Sequence, residues 1–450
     1  MTGTPHVLII GGGLGGLCLA QGLRKAGLGF AVYERERGSA RADRLQDHRI
    51  PIGPQGARAL YACLPPDAWE EFAAHTQRGG RSAFVTEQLR ELLVLPQPAP
   101  GRTPQRSHHA PSGHALRQVL LSGLDDHLVR GGREFVRYEH EDDGGITAHF
   151  ADGSTAYGDL LAGADGADSR VRRQLLPHAV RADTRVLAVT GRLELTHAQA
   201  DELPESLTTW STSVLTPRSD AMFCTAGHAA AGERPPIQVA PRAWAATGAG
   251  AGTDAGMRAV VLAGVDAPGG PRPPRSRDHV RWTYVAKATA FPEDVERLDG
   301  KALRAVVAER IADWHPALVR LVAEADPDSV VPVRMLGMKP VEPWPPGPVT
   351  LLGDAIHGMP ALGGTGATTA LRDARLLSGL LARRRDPLQA IGAYESEMRA
   401  YGFDAVARSL RTTRSATSDS RLARTLFRGV LRTAAHSAWV RAAVFRDYGE

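Results

Sequence analysis

Six residues near the N-terminus, Gly11-Gly12-Gly13-Leu14-Gly15-Gly16, leave few folds open to this chain. They have the form G-x-G-x-x-G and follow the short apolar run Val7–Ile10. A helical pattern through Leu17, Ala20, Leu23 and Ala26 comes next, and a second strand-like run, Phe30–Tyr33, after it. This order predicts a βαβ opening. Glycines there allow a tight turn and let the backbone approach a pyrophosphate, while the helix N-terminus supplies N–H groups and partial positive charge. Glu34, 18 residues after Gly16, closes the second run, where an acid can bind the hydroxyls of an adenosine ribose. Gly11, Gly13, Gly15, Gly16 and Glu34 therefore predict a dinucleotide site, without choosing between NAD and FAD.

Composition removes other classes. With 450 residues, 43% hydrophobic and 23% charged, the chain can bury one large core or two ordinary ones. Its three cysteines, Cys18, Cys63 and Cys224, are far apart in sequence and form no C-x-x-C pair, so neither a disulfide framework nor a zinc site is expected. No apolar run reaches the roughly 18 residues that span a bilayer, and no signal core follows a basic N-terminal stretch. A cytoplasmic setting is expected. The net charge of +5 comes mostly from arginine, with only four lysines, Lys25, Lys287, Lys301 and Lys339. No basic stripe with interleaved aromatics accompanies it, so no nucleic-acid partner is expected.

Two further strand-like runs end in chemistry-bearing motifs. Asp159–Ala162 enters Gly163-Ala164-Asp165-Gly166, and Val349–Leu352 enters Gly353-Asp354. Between them, Val186–Val189, Met222–Thr225, Arg258–Val265 and Val280–Ala286 alternate with glycine- and proline-rich loops, which reads as a mainly antiparallel sheet. Ala246–Gly256 reads as a loop between two strands, because no helical pattern follows it. From residue 366 the chain reads as largely helical.

The segment from Asp165 to Arg172 has the form D-G-x-x-S-x-V-R. Gly353-Asp354-Ala355-Ile356-His357, with Pro360 and Gly363-Gly364-Thr365-Gly366, has the form G-D-A-x-H-x-x-P-x-x-G-G-x-G. With the N-terminal glycines, these motifs resemble the FAD-dependent aromatic hydroxylases, the para-hydroxybenzoate-hydroxylase-like or group A flavoprotein monooxygenases. The resemblance runs from Val7 to about Tyr401.

The resemblance implies an α/β fold: a Rossmann-like FAD-binding domain interrupted by a mainly antiparallel β-sheet substrate domain, with C-terminal helices. The expected division is 1–180 and 330–395 for the FAD domain, 181–329 for the substrate domain and 396–450 for the helical region. It implies that Asp354 holds a ribityl hydroxyl. Gly363, Gly364 and Gly366 would lead into a helix, Thr368–Leu381, aimed at the flavin's pyrimidine edge. Asp165 would lie near the pyrophosphate, Arg117 would contact FAD and Arg35 would reach the adenine end. Arg44, with Arg41 and Arg49, would lie in a segment crossing the flavin face. The implied chemistry is hydroxylation of an electron-rich aromatic, a polycyclic natural product by preference, through a flavin C4a-hydroperoxide. NADPH or NADH and O2 would be consumed, and no side-chain nucleophile is named as catalytic.

Two positions depart from the family pattern. Thr368 stands where many relatives carry Asn, and its hydroxyl is expected to cap the helix. Gly113 stands where many have Arg, three residues before the expected helix Leu116–Leu121. An epoxidase or Baeyer–Villiger enzyme would use the same scaffold, and a FAD-bound non-catalytic binding protein is the alternative of another class. A halogenase would need a catalytic lysine, and none lies between residues 26 and 286. His108, His109 and His114 are expected to be solvent or pocket-lining side chains, not metal ligands. Arg421, Arg424, Arg428 and Arg432, near Leu422, Leu426, Val430 and Leu431, predict a solvated face on a helix packed against the body, in preference to a membrane-surface helix.

Overall fold

In the computed structural model, the described residues are 5–36, 49–76, 81–95, 103–209, 211–227, 278–362 and 364–444. The calls at Arg258–Val265 and Ala246–Gly256 lie outside them, as do Arg41, Arg44 and Gly363.

A five-stranded parallel sheet forms the first layer. Its order is β15 (Val349–Leu351), β9 (Leu160–Gly163), β1 (His6–Ile10), β2 (Gly29–Glu34) and β5 (Val129–Gly131). Strand β1 is Val/Leu/Ile-rich and buried on both faces, as a central parallel strand must be. Helix α1 (Leu14–Lys25) crosses from β1 to β2 and buries Leu17, Leu19 and Leu23. Helix α2 (Pro54–Cys63), α3 (Gly113–Leu121), α4 (Arg170–Leu175), α5 (Gly366–Arg383) and α6 (Pro387–Ala416) complete this half. Tyr394 and Met398 of α6 join its core. A small antiparallel sheet, β6 (Phe135–His140), β7 (Ile146–Phe150) and β8 (Thr155–Gly158), is attached by the stacked rings of Tyr33 and Phe150, 4.7 Å apart.

The second layer is a seven-stranded sheet in the order β14-β10-β13-β12-β11-β3-β4. It contains β10 (Arg181–Glu194), β11 (Ser211–Leu215), β12 (Asp220–Gly227) and β13 (His279–Lys287), as the alternating texture predicts. All its pairings are antiparallel except that of β11 with β3. The sheet is not confined to 181–329. It also takes β3 (Ser82–Thr86) and β4 (Glu91–Leu95) from the N-terminal segment and β14 (Val331–Met338) from beyond the insert. Strand β3 pairs in parallel with β11, Ser82 opposite Ser211, a partnership that no local pattern announces. A separate core under this sheet gathers Trp282, Tyr284, Leu318 and Leu321.

Helix α7 (Arg421–His436) and α8 (Ala438–Val444) follow. Leu431 and Ala434 of α7 pack on Leu92 and Leu93 of β4, covering that edge strand. Among the described residues, no helix is long and apolar enough to cross a membrane.

Candidate active site

Strand register brings the three motifs together. Ile10 pairs with Gly163, which pairs with Leu351, so β1, β9 and β15 end side by side. The loops leaving them carry the N-terminal glycines, Asp165 and Asp354 respectively. These are the carboxyl ends of adjacent parallel strands, where open α/β sheets bind ligands. The packing there is close. Gly11 has φ +108°, and a Cβ on it would collide with the Ala164 backbone. A Cβ on Gly16 would collide with the Gly11 carbonyl, so only glycine lets α1 start this close to the turn.

The first turn of α1 has Gly13 at its N-cap and no side-chain cap, which leaves its leading N–H groups free of side-chain partners. Glu34 is buried at the end of β2, and its carboxylate accepts from the amides of Gly12 at 2.7 Å and Glu36 at 3.2 Å. The acid thus braces the glycine turn from the position that sequence assigns to ribose binding. Arg117, on α3, donates to the Gly12 carbonyl, which places its cation beside the same turn. Arg35 is exposed just past β2. Arg49 donates to the Ala110 carbonyl at 2.9 Å, tying residue 49 to the segment leading into α3. That helix begins at Gly113 itself, capped by Ser112, whose hydroxyl accepts from Ala115, so Gly113 lies in its first turn and not before it.

Asp165 divides its carboxylate between two tasks. Oδ2 accepts from the amides of Arg170 at 2.7 Å and Val171 at 3.2 Å, capping α4. Oδ1 is buried without a hydrogen-bond partner among the described residues. Asp354 is exposed to the cleft yet crowded by protein on its other sides, and this desolvation pushes its carboxyl above the ordinary range. Its side chain makes no hydrogen bond among the described residues.

Gly364 has φ +64°, and a Cβ there would lie 2.6 Å from Pro51. Gly366 opens α5, whose N-cap is Thr365 without a side-chain cap. Thr368 does not cap the helix. Its hydroxyl accepts from the Gly53 amide at 3.0 Å, joining α5 to the start of α2, because the helix begins two residues earlier than expected.

Two anchoring groups carried no sequence assignment. Arg172, the last residue of D-G-x-x-S-x-V-R, is buried and donates to the carbonyls of Ala355 and Ala167, each at 2.9 Å. It clasps the second motif to the third. Asp373, buried in α5, accepts from the Gly353 amide at 2.8 Å, from His357 Nε2 at 2.6 Å and from the Tyr401 hydroxyl at 2.5 Å. Burial alone would lower the His357 pKa, but the charge and hydrogen bond of Asp373, with the charge of Asp354, raise it on balance. The Arg372 guanidinium lies 3.7 Å over the Tyr401 ring and closes the cluster from outside. The histidines of the 108–114 segment behave differently from expectation at one position. His109 is buried, bonded to Thr76 at 2.7 Å and Pro104 at 2.9 Å, and packed on Phe72.

The residues present fit FAD. An uncapped helix N-terminus on a glycine turn suits the pyrophosphate, a partnerless cleft carboxylate suits a ribityl hydroxyl, and a second uncapped helix N-terminus faces the same region. Fold and site together define an FAD-binding protein with a Rossmann-like half and a β-sheet half.

Comparison with known proteins gives the same answer. A family profile described as an FAD binding domain matches residues 272–409, and one described as an NAD(P)-binding Rossmann-like domain matches 9–69. The crystal structure of a protein assigned as an FAD-containing monooxygenase of Photorhabdus luminescens is 32% identical, with a TM-score of 0.74, over 92% of this chain and 99% of that one. An FAD-dependent urate hydroxylase of Klebsiella pneumoniae is 26% identical over 87% of this chain and 85% of its own length. A dual O-methyltransferase/FAD-dependent monooxygenase of Phaeosphaeria nodorum is 27% identical over 90% of this chain. The chain spans less than half the length, 45%, of that curated relative. The chain belongs to the FAD-dependent group A flavoprotein monooxygenases.

Proposed function

We propose that this protein is a monooxygenase that consumes NAD(P)H and O2 and hydroxylates an electron-rich aromatic, with a polycyclic natural product as its substrate class. The observation that carries the reading is the meeting of three motifs, the outer two more than 330 residues apart in sequence, at adjacent strand ends. Bound there, FAD supplies hydride acceptance from the nicotinamide and activation of O2. The protein's part is binding and positioning. The N-terminus of α1 and Arg117 would hold the pyrophosphate, and Glu34 would fix the adenosine end through the turn it braces. Asp354 would accept from the ribityl chain. The N-terminus of α5 would direct partial positive charge at the ring edge that becomes negative on reduction.

The seven-stranded sheet would form the substrate cover, chiefly from residues 181–329. The substrate class rests on the family resemblance, since relatives at 26–27% identity include a urate hydroxylase and fungal dual-function enzymes. The purified protein is incubated with NADPH or NADH and a panel of phenols and polycyclic aromatics, and products are weighed by mass spectrometry. The expected result is NAD(P)H oxidation accelerated by a phenolic or polycyclic member, with a product heavier by one oxygen. Oxygen inserted beside a ketone, or across a double bond, would replace hydroxylation by the Baeyer–Villiger or epoxidase reading. A protein that retains FAD but oxidises NAD(P)H with no member of the panel would favour the binding-protein reading.

A further inference from the structure

Helix α7 is set on the body with its apolar stripe outward. At about 100° per residue, Leu422, Leu426 and Val430 fall on one narrow stripe, with Phe427 at its border. Leu422 is 71% exposed and Leu426 61%, and Phe427 and Val430 are exposed as well. Trp439, on α8, is 80% exposed. The face turned to the body carries Leu431 and Ala434, and with them the buried Arg424. The Arg424 guanidinium donates to the carbonyls of Thr216 at 3.0 Å, Asp220 at 2.6 Å, Ala416 at 3.1 Å and Ser418 at 3.2 Å. Arg428 lies 3.5 Å from Glu87. These inward arginines fix the rotation of the helix, so the outward stripe is not free to roll under. The expectation of a helix packed on the body holds, but the solvated face is leucine-rich and one of the four arginines is buried.

We propose that this stripe is a docking surface for an anionic lipid membrane, on which the protein rests without spanning it. Two observations select that occupant. An exposed tryptophan, Trp439, follows the stripe on α8, a residue favoured at the boundary of headgroup and acyl chain. The charge carried by α7 and α8 themselves has one sign. Arg421 and Arg432 are exposed on α7, and no Asp or Glu occurs between Asp419 and Asp447. Cationic helices that carry an apolar stripe complement anionic headgroups, toward which exposed arginines are drawn.

The test uses the full chain with bound FAD, in flotation with vesicles of phosphatidylcholine alone or with about a third phosphatidylglycerol. The expected result is binding to the anionic vesicles, weaker on the neutral ones and reduced by high salt. Leu422→Gln with Leu426→Gln should weaken anionic binding at least tenfold while leaving flavin content and thermal unfolding unchanged, because both side chains touch mainly solvent. No binding of the unaltered protein, undiminished binding of the double variant, or equal binding to both vesicle types would overturn the proposal. So would concentration-dependent self-association that the double variant abolishes in the absence of vesicle binding, since the stripe would then join two copies of this chain.

Discussion

The Asp373 carboxylate holds the Gly353 amide at 2.8 Å, and so a helix residue sets the backbone of the strand-end motif 20 positions before it. Gly353 has φ +62° and immediately precedes Asp354, so Asp373 governs where the cleft carboxylate points. Asp373→Ala would leave the Gly353 amide, His357 and the Tyr401 hydroxyl without their shared acceptor in a buried place. The expected destabilisation is about 3–5 kcal/mol in denaturant unfolding, with flavin lost on gel filtration. Asp373→Asn keeps an acceptor oxygen and should recover part of both. An alanine variant of unchanged stability and flavin content would remove Asp373 from this role.

Asp354→Ala should weaken FAD binding roughly ten- to hundredfold, about 1.5–3 kcal/mol, the value of a hydrogen bond to a charged group. Asp354→Asn should lose less. Because burial raises the Asp354 pKa, the wild-type advantage over the alanine variant should shrink on acidification earlier than for an ordinary aspartate. Fluorescence titration of apoprotein with FAD from pH 4 to 8 measures this, and a pH-independent ratio would refute it.

At Gly16 the added methyl of alanine meets the Gly11 carbonyl, so α1 must back away from the turn. FAD affinity should fall at least tenfold, about 1.4 kcal/mol. Gly27, whose surroundings are open but whose φ is +71°, serves as a comparison. Gly27→Ala should cost stability through backbone strain and leave flavin affinity unchanged. Equal flavin loss in both variants would contradict the close-approach argument.

Glu395 lies buried beneath β15 and accepts from the Thr350 hydroxyl at 2.8 Å. Burial raises its pKa to about 7, against 4.5 for the free side chain. The unfolded chain therefore releases this proton first as pH rises, and folding stability declines between about pH 4.5 and 7. The full effect is about 3 kcal/mol. Glu395→Gln should remove that decline, so the variant gains on the wild type as pH rises through this window. Urea unfolding at pH 5 and pH 8 gives the comparison, and parallel pH profiles would exclude Glu395 as the source.

The glycine turn, its flanking strands and the strand-end aspartates were legible because each rests on local sequence: apolar runs of strand length stopped by residues with special backbone freedom. The edge of the second sheet was not. Strand β3 finds its partner β11 more than 120 residues away, and nothing in Ser82–Thr86 specifies that pairing. Asp373 was hidden for another reason. It sits between arginines in an amphipathic helix and looks like a polar-face residue until Gly353, His357 and Tyr401 converge on it from two other segments. The rotation of α7 was likewise undecided, since its sequence carries both an arginine stripe and a leucine stripe. Contacts made by Thr216 and Asp220 choose between them.

Strand β15 supplies residues 349–351 to a sheet whose centre, β1, ends at residue 10. The cofactor cleft therefore has no third wall until β15 has been synthesised. A ribosome making this protein must release residues through Arg383, the end of α5, before flavin can be held from both sides. Until then β9 presents a bare edge where β15 will pair, and the emerging chain must keep that edge from other partners. Flavin capture thus waits for β15, and nascent chains arrested upstream of residue 349 should emerge colourless.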